Sequence, residues 1–277
     1  MKVVSKAGSV GHVLLNILAI LISLVFILPF YVVLVNSFKT APEANSMSIA
    51  LPKAFQFSNY AKVIEQGKLM SSFGNSMLYS VASVAIIIAA VLSAAFVISR
   101  NMKGVNKAFY YFIITGLALP INQIALMKVL QMLHLMNTRL GVILIYAAVN
   151  IPLSLFLAYG FIGTIPRELD EAAMLEGCTP LSMFVKIILP LLKPIASTLA
   201  VLNMMAVWND FTMPLYYLNS SKKWPMTLAV YNFFGTYENS WNLVSADIIL
   251  TILPVMVVFV IGQKYIVGGV SAGAVKG

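Results

Sequence analysis

Apolar runs long enough to cross a bilayer recur along this chain, and they fix its fold class before any other feature is weighed. A hydrocarbon layer of ~30 Å takes about 20 helical residues, and only a backbone that satisfies its own hydrogen bonds is tolerated there. Six stretches meet that demand: about Val13 to Asn36, Asn75 to Ser99, Ala108 to Leu133, Leu140 to Ile162, Ile195 to Leu218 and Leu243 to Ile266. The expected fold is all-α integral membrane with six transmembrane helices. Of 277 residues, 60% are hydrophobic and 10% charged, against about a quarter charged in a soluble domain. The apolar residues form unbroken runs rather than alternating faces, so residues 1–277 read as a single membrane domain.

Lys2 and Lys6 precede the first run as in a signal sequence, but the run is too long for a signal-peptide core and reads as a retained anchor helix. In the second run, Ala89, Ala90, Ser93, Ala94 and Ala95 would let another helix approach closely. Pro29, Pro120, Pro152 and Pro254 sit inside expected spans, where each removes a backbone donor and bends its helix. Six spans put both termini on one side. The short Arg100 to Lys107 loop carries Arg100, Lys103 and Lys107, and the positive-inside bias places that side, with both termini, in the cytoplasm.

The net charge of +9 comes from 18 Lys and Arg residues scattered through loops. No basic helix or aromatic-basic stripe collects them, which argues for lipid headgroups and against nucleic acid as their partner. Cys178 is the single cysteine, so an intrachain disulfide and a thiolate metal cluster are both excluded. His12 and His134 lie far apart without a nearby carboxylate or cysteine cluster, which argues against zinc. No G-x-x-x-x-G-K-[ST] motif follows a strand, and no Ser/His/Asp or Cys/His set is present. The chain is therefore expected to be no enzyme and to bind no cofactor.

The most informative loop lies between the fourth and fifth runs, residues 165–190. Pro166 suits a first helical turn, and Glu168, Asp170 and Glu171 place negative charge at its positive dipole end. Gly177 can take the left-handed conformation that ends a helix, and Thr179-Pro180 offers a cap and first-turn proline for the next. Leu169, Ala172, Ala173 and Glu176 share one face by spacing. Two alanines there would let a partner's groove come close to the backbone, with acidic flanks to meet basic residues.

Glu171-Ala172-Ala173, Gly177, Ile187 and Leu189-Pro190, at their spacings, resemble the signature loop of permease subunits of ATP-binding-cassette importers. One departure is Glu176, where sugar-importer members often carry Asp. Trp208-Asn209-Asp210-Phe211 and the Gly268 to Gly277 tail resemble the carbohydrate branch, in particular the second permease of maltose and related oligosaccharide importers. The resemblance implies a type I importer fold in which a short coupling helix docks on an ATPase, here through Asp170, Glu171, Ala172, Ala173, Leu175, Glu176 and Gly177. It further implies that Gly273, Lys276 and Gly277, in the cytoplasmic tail 267–277, reach the ATPase pair, and that the segment around Ser220 to Trp241 meets a sugar-binding protein. The implied partners are a second permease in a heterodimer, two ATPase subunits that hold ATP and Mg, and an extracytoplasmic sugar-binding protein. The implied setting is a bacterial plasma (inner) membrane.

Polar groups inside lipid are costly and usually face a pathway or another helix. Asn122, Gln123, Asn150, Asn203, Trp208, Asn209 and Asp210 are the candidates for a neutral sugar's path, since amides and a carboxylate bond hydroxyls and an aromatic face stacks on a sugar ring. Hydrogen bonding between helices is the competing reading of each amide. Lys128 and Gln131 are further polar residues of the third run. A permease for another solute, such as a sugar-phosphate, and an ion-coupled secondary transporter remain the alternative functions. Against the latter, Asp210 is the only acid well inside a run and the halves show no repeat.

Overall fold

Prolines and side-chain caps mark several of the helix boundaries in this chain, at Asn122, Thr138, Thr179 and Pro194 among them. The computed structural model describes residues 9–234 and 240–274, with backbone alone for 9–10 and 266–274. In chain order the elements are α1 (Ser9–Ser37), α2 (Ala41–Ala44), α3 (Ser58–Gln66), α4 (Leu69–Arg100), α5 (Gly104–Thr115), α6 (Gln123–Met132) and α7 (Arg139–Ile162). There follow α8 (Glu168–Leu175), α9 (Pro180–Met183), a π-helical turn Phe184–Ile188, α10 (Leu189–Leu191), α11 (Lys193–Asn209), α12 (Thr212–Tyr217), α13 (Met226–Ala229) and α14 (Trp241–Ala274).

Among the described residues, Gly11–Ser37, Leu69–Arg100, Arg139–Ile162 and Trp241–Tyr265 are each long and apolar enough to cross a membrane. Pro180–Leu191 and Lys193–Asn209, bent by 71°, would make a fifth span if taken together. Expected runs one, two, four and six thus correspond to α1, α4, α7 and α14. The other two are interrupted. The third is not one helix: α5 and α6 are about 18 and 15 Å long at 1.5 Å per residue, and residues 116–122 between them are not helical. Pro120 lies in that gap, lacking an amide to donate and restricting the residue before it. The Asn122 side chain then accepts from the Ala125 amide at 3.0 Å and starts α6. The fifth run divides at Asp210 and Phe211, between α11 and α12.

Contacts gather the chain into two compact units, Met1–Leu69 with Val230–Thr251, and Met70–Ala229 with Ile252–Gly277. In the first, none of the apolar window of α1 is buried. Its polar heart is Lys39, buried, whose Nζ donates to Asn36 Oδ1 at 3.0 Å and to the Ser48 carbonyl and hydroxyl at 2.8 and 2.9 Å. Asn59 Nδ2 bonds the Ser37 and Lys39 carbonyls, each at 2.9 Å, and Asn59 Oδ1 accepts from Asn242 at 3.0 Å. Three acceptors on one ammonium offset part of its large desolvation cost.

In the second unit, α4, α7 and α11 enclose a core that includes Ile87, Val91, Ala95, Leu155, Ala158 and Leu199. Polar bonds tie the helices where lipid supplies no hydrophobic drive between them. Ser83 Oγ donates to the Ile143 carbonyl at 3.1 Å, and Asn203 Nδ2 donates to Ser154 Oγ at 3.0 Å. Thr198 Oγ1 reaches the Tyr265 carbonyl of α14 at 2.7 Å. A Cβ added at Gly262 would meet Val201 Cγ1 at 2.6 Å, so α11 and α14 approach closely because that residue has no side chain.

Asn203→Ala removes the bond between α7 and α11 and leaves Ser154 without that partner. Unfolding in detergent should show a loss of roughly 0.6–2 kcal/mol, the range for interhelical bonds in membranes. An unchanged midpoint would contradict the assigned bond.

Candidate functional site

An eight-residue helix is too short to hold itself in water, so α8 depends on what grips it. Its first turn carries Glu168, Asp170 and Glu171, favourable at a helix N-terminus. At its C-terminus Gly177 stands at φ +77°, with the Cys178 amide on the Ala173 carbonyl and the Gly177 amide on the Met174 carbonyl, both at 3.0 Å. That pair of bonds is the Schellman arrangement, which absorbs carbonyls left orphaned at the helix end. Thr179 then caps α9, its Oγ1 accepting from the Ser182 amide at 3.2 Å, with Pro180 in the first turn. The elbow read from the sequence is present, although Pro166 lies just before the helix rather than in its first turn.

Past α9 the chain widens into the π-turn, where the Leu189 amide bonds the Phe184 carbonyl five residues back. The missing amide and bulky ring of Pro190 make an ordinary α-turn costly at that point. Pro194, in the first turn of α11, follows the 71° bend. The Leu189-Pro190 pair of the signature therefore shapes the passage from elbow to span.

The faces of α8 differ from the sequence expectation. Asp170 and Ala173, expected among the outward docking residues, are turned into the chain's own core. Residues three apart share a face, and here that face is covered. Ala173 packs in the cluster containing Ile98, Ile165, Met183 and Ile188. Asp170 pairs with Arg100, the last residue of α4: Nε stands 2.5 Å from Oδ2, and Nη2 donates to Oδ1 at 3.2 Å. The two side chains are only 15% and 9% exposed. Arg100 Nη1 also donates to the Ile165 carbonyl at 3.3 Å, while Arg167 Nη2 donates to the Ser99 carbonyl at 3.0 Å. Ser99 sits in the last turn of α4, where carbonyls lack helical partners and the dipole attracts a cation.

The exposed surface of the elbow consists of Glu168, Leu169, Glu171, Ala172, Met174, Leu175, Glu176 and Gly177. Leu175 is 90% exposed. This surface combines carboxylates with uncovered apolar side chains, and it suits a protein cleft with an apolar floor and basic rim. Glu171, Ala172, Leu175, Glu176 and Gly177 of the expected set remain on it.

The expected pathway residues do not converge into one site. Asn122 spends its side-chain oxygen capping α6, and Gln123 Oε1 accepts from the Tyr217 hydroxyl at 2.5 Å. Asn150 donates to the Tyr146 carbonyl one turn back, at 2.8 Å. Asn203 joins two helices. Asp210 accepts from the amides of Thr212 and Met213 at 3.3 and 2.9 Å and from the Tyr146 hydroxyl at 3.0 Å, so it starts α12 and holds it to α7. Trp208 is buried edge-on against Phe73, centroids 5.9 Å apart, and lines an apolar groove of 400 Å³ with Phe73, Met77, Met204, Leu253 and Pro254. Asn209 is exposed. In the tail, Gly273 belongs to α14 by its backbone, whereas Lys276 and Gly277 lie outside the described residues, as do residues 235–239 of the segment around Ser220 to Trp241.

Sequence reasoning missed Arg100 and Arg167 as structural partners of the loop, and Tyr146 and Ser154 as partners of Asp210 and Asn203. A signal for the first existed. Arg100 closes a charge-free run at the same membrane face as the loop's acids, so a pairing was deducible. Hydroxyls such as Ser154 carry no such mark.

Residues 86–271 match the family described as binding-protein-dependent transport system inner membrane component. Over 265 residues the chain is 34% identical to the probable starch degradation products transport system permease protein AmyC of Thermoanaerobacterium thermosulfurigenes, covering 95% of this chain and 96% of that one. It is 33% identical over 267 residues to the melibiose/raffinose/stachyose import permease protein MelC of Bacillus subtilis, with 95% and 96% covered. To the multiple sugar-binding transport system permease protein MsmG of Streptococcus mutans it is 35% identical over 271 residues, with 96% of each covered. Its fold is also similar to a chain in the crystal structure of a bacterial ABC transporter involved in the import of the acidic polysaccharide alginate. That similarity has a TM-score of 0.82 at 21% identity, covering 96% of this chain and 99% of the other.

A Cβ at position 177 meets nothing within 4 Å, so substitution there tests backbone conformation alone. Gly177→Val should cost at least roughly 1–2 kcal/mol for the left-handed position, and more for its branching. Hydrogen exchange should quicken at residues 168–178 and stay unchanged in α7. Equal protection in both proteins would contradict the role given to this glycine.

Proposed function

The chain belongs to the family of binding-protein-dependent transport system inner membrane components, and on that premise we propose that it imports a di- or oligosaccharide, coupled to ATP hydrolysis through the outward face of α8. It is a permease subunit of an ATP-binding-cassette importer and not an enzyme. A member of this family works with a partner permease, an ATPase and a substrate-binding protein.

The finer assignments rest on several supports. AmyC, MelC and MsmG carry names that specify starch degradation products, melibiose/raffinose/stachyose and multiple sugars, which favours a carbohydrate over an ion-coupled or sugar-phosphate substrate. The observation that carries the coupling reading is the geometry of α8. It is rigidly capped at Gly177, fastened to α4 by Arg100, and presents Leu175, Glu171 and Glu176 outward. In this reading ATP and Mg are held by two ATPase subunits, this chain binds no cofactor, and the partner permease is a different polypeptide in a heterodimer.

The membrane arrangement is part of the same proposal. Counting α5 with α6 as one interrupted passage, and α9 to α12 as another, gives six crossings with both termini in the cytoplasm. Arg100, Lys103 and Lys107 then fall on the inner side, as the positive-inside bias favours. Discontinuous helices inside a membrane are tolerated where protein or a cavity satisfies the freed backbone, and the caps at Asn122 and Asp210 supply such partners. The relatives match almost the whole length, which supports reading the chain as one permease domain. Gly273 to Gly277 are assigned to the ATPase interface and the segment around Ser220 to Trp241 to the binding protein. The groove at Trp208 is apolar, so a sugar's hydroxyls would need Asn209 and polar groups of the partner permease.

The complete importer reconstituted in liposomes should accumulate labelled oligosaccharide only with ATP, and its hydrolysis should rise when loaded binding protein is added. Uptake driven by an ion gradient without ATP would overturn the assignment. ATP-dependent uptake of a sugar-phosphate but no neutral sugar would overturn the substrate class alone.

A further inference from the structure

Of the four helices among the described residues that are long and apolar enough to span a membrane, α1, α7 and α14 each contain a proline, at Pro29, Pro152 and Pro254, and α4 contains none. Proline interrupts the hydrogen-bond ladder and marks where a helix bends. At 32 residues α4 is about 48 Å long, well beyond the ~30 Å hydrocarbon thickness. It therefore offers one unbroken, proline-free helix long enough to reach past both sides of the lipid core.

Both ends of that rod are held by side chains. The inner end is the clamp already described, where Arg100 reaches Asp170 and the Ile165 carbonyl, and Arg167 reaches back to the Ser99 carbonyl. Phe96 adds a ring contact to Phe184 of the π-turn, centroids 5.2 Å apart. At the outer end, Asn75 Nδ2 donates to the carbonyls of Lys222 and Trp224 at 3.0 and 3.1 Å. Tyr79 donates its hydroxyl to the Lys223 carbonyl at 2.7 Å, and Ser76 Oγ accepts from the Met226 amide at 2.9 Å. Asn75, Ser76 and Tyr79 are all buried, and Arg139 Nε fixes the Asn75 amide by donating to its oxygen at 3.1 Å. Residues 222–226 are a short 3-10 turn and a link to α13, so these bonds to α4 satisfy much of their backbone. The grips at residues 75 and 100 lie about 37 Å apart along the helix.

We infer that α4 is a strut joining the two faces of the permease: Arg100 fastens it to α8, Asn75 and Tyr79 fasten it to residues 222–226, and the two ends move as one body. The inference rests on the coupling role given to α8. It deepens that role by naming the element that carries motion from the ATPase side to the outer segment. Arg100 and Asn75 are positioning residues in this scheme, since neither is part of the exposed docking face. Communication of this kind needs a physical element that both sites bias, not mere intermediacy.

The test uses the whole importer in lipid nanodiscs, with both permeases, ATPase subunits and binding protein. In Asn75→Ala, ATPase subunits should co-purify in unchanged ratio and basal hydrolysis should persist, while Arg100→Gln is compared with it per ATPase subunit retained. Stimulation by loaded binding protein should fall about tenfold, within the roughly 5–150-fold range of coupling factors. The double variant should be no worse than the worse single, because one strut cut twice transmits no less. Arg100→Asp combined with Asp170→Arg should regain part of the stimulation. Losses that multiply in the double variant, or that merely track a lower melting temperature, overturn the strut. A second measurement stands independently of stimulation: spin labels at Val97→Cys and Leu181→Cys, the latter in α9 beyond the docking face, in a Cys178→Ser background, should keep one distance with and without ATP. A change on ATP binding overturns the rigid connection. If the unmodified importer shows no stimulation, the coupling role fails, and the label distance still decides whether α4 and the elbow move together.

Discussion

Inside lipid a backbone amide or carbonyl has no water to turn to, and that constraint governs how this chain spends its polar side chains. Asn122 opens α6, Thr138 caps α7 through the Gly141 amide at 2.9 Å, and Asp210 opens α12. Asn122 and Asp210 stand where an apolar run has been interrupted, and Thr138 stands in the loop that leads into α7. Residues that looked like a hydrophilic pathway are largely the caps and cross-links that make the interruptions tolerable. The apolar groove at Trp208, with Asn209 exposed beside it in sequence, is what remains as a surface for a partner or substrate.

Side-chain grips also explain why the loop of residues 165–190 is a defined object and not a tether. Left alone, eight residues would not stay helical. The Schellman closure at Gly177, the buried Ala173 and the Arg100–Asp170 fork hold them in one orientation. An exposed ion pair contributes about 0–1 kcal/mol, while breaking a buried one by removing a partner costs roughly 3–5 kcal/mol. With both side chains mostly covered and the guanidinium also on the Ile165 carbonyl, this pair lies between those limits. Its consequence for function is orientation, since it turns the remaining acidic and apolar side chains of α8 outward.

Much of this was legible in the residues. Four of the six apolar runs are continuous helices, and three of them stay so with Pro29, Pro152 or Pro254 inside; Asn75 to Ser99 alone has neither proline nor charge. The third and fifth runs are also apolar, but Pro120 and Asp210 break them, and hydropathy does not register a cap. In the loop, Gly177 and Thr179-Pro180 announced the elbow because left-handed backbone and first-turn geometry admit few residues. The faces of α8 were misassigned for a different reason. Spacing groups Asp170 with Ala173, but only the approach of Arg100 from a helix 70 residues away decides that this pair points inward. Pathway amides were ambiguous for the same reason, as Asn203 bonds a serine 49 residues distant.

The central claim is that the outward face of α8 is the surface an ATPase grips during transport. A photoreactive side chain placed at position 175 in a working importer tests it directly, with position 173 as the inward-facing control. The account predicts adducts to the ATPase subunit from 175 and none from 173. Adducts from 175 that reach only lipid or another permease, with ATP-driven uptake intact, would contradict it.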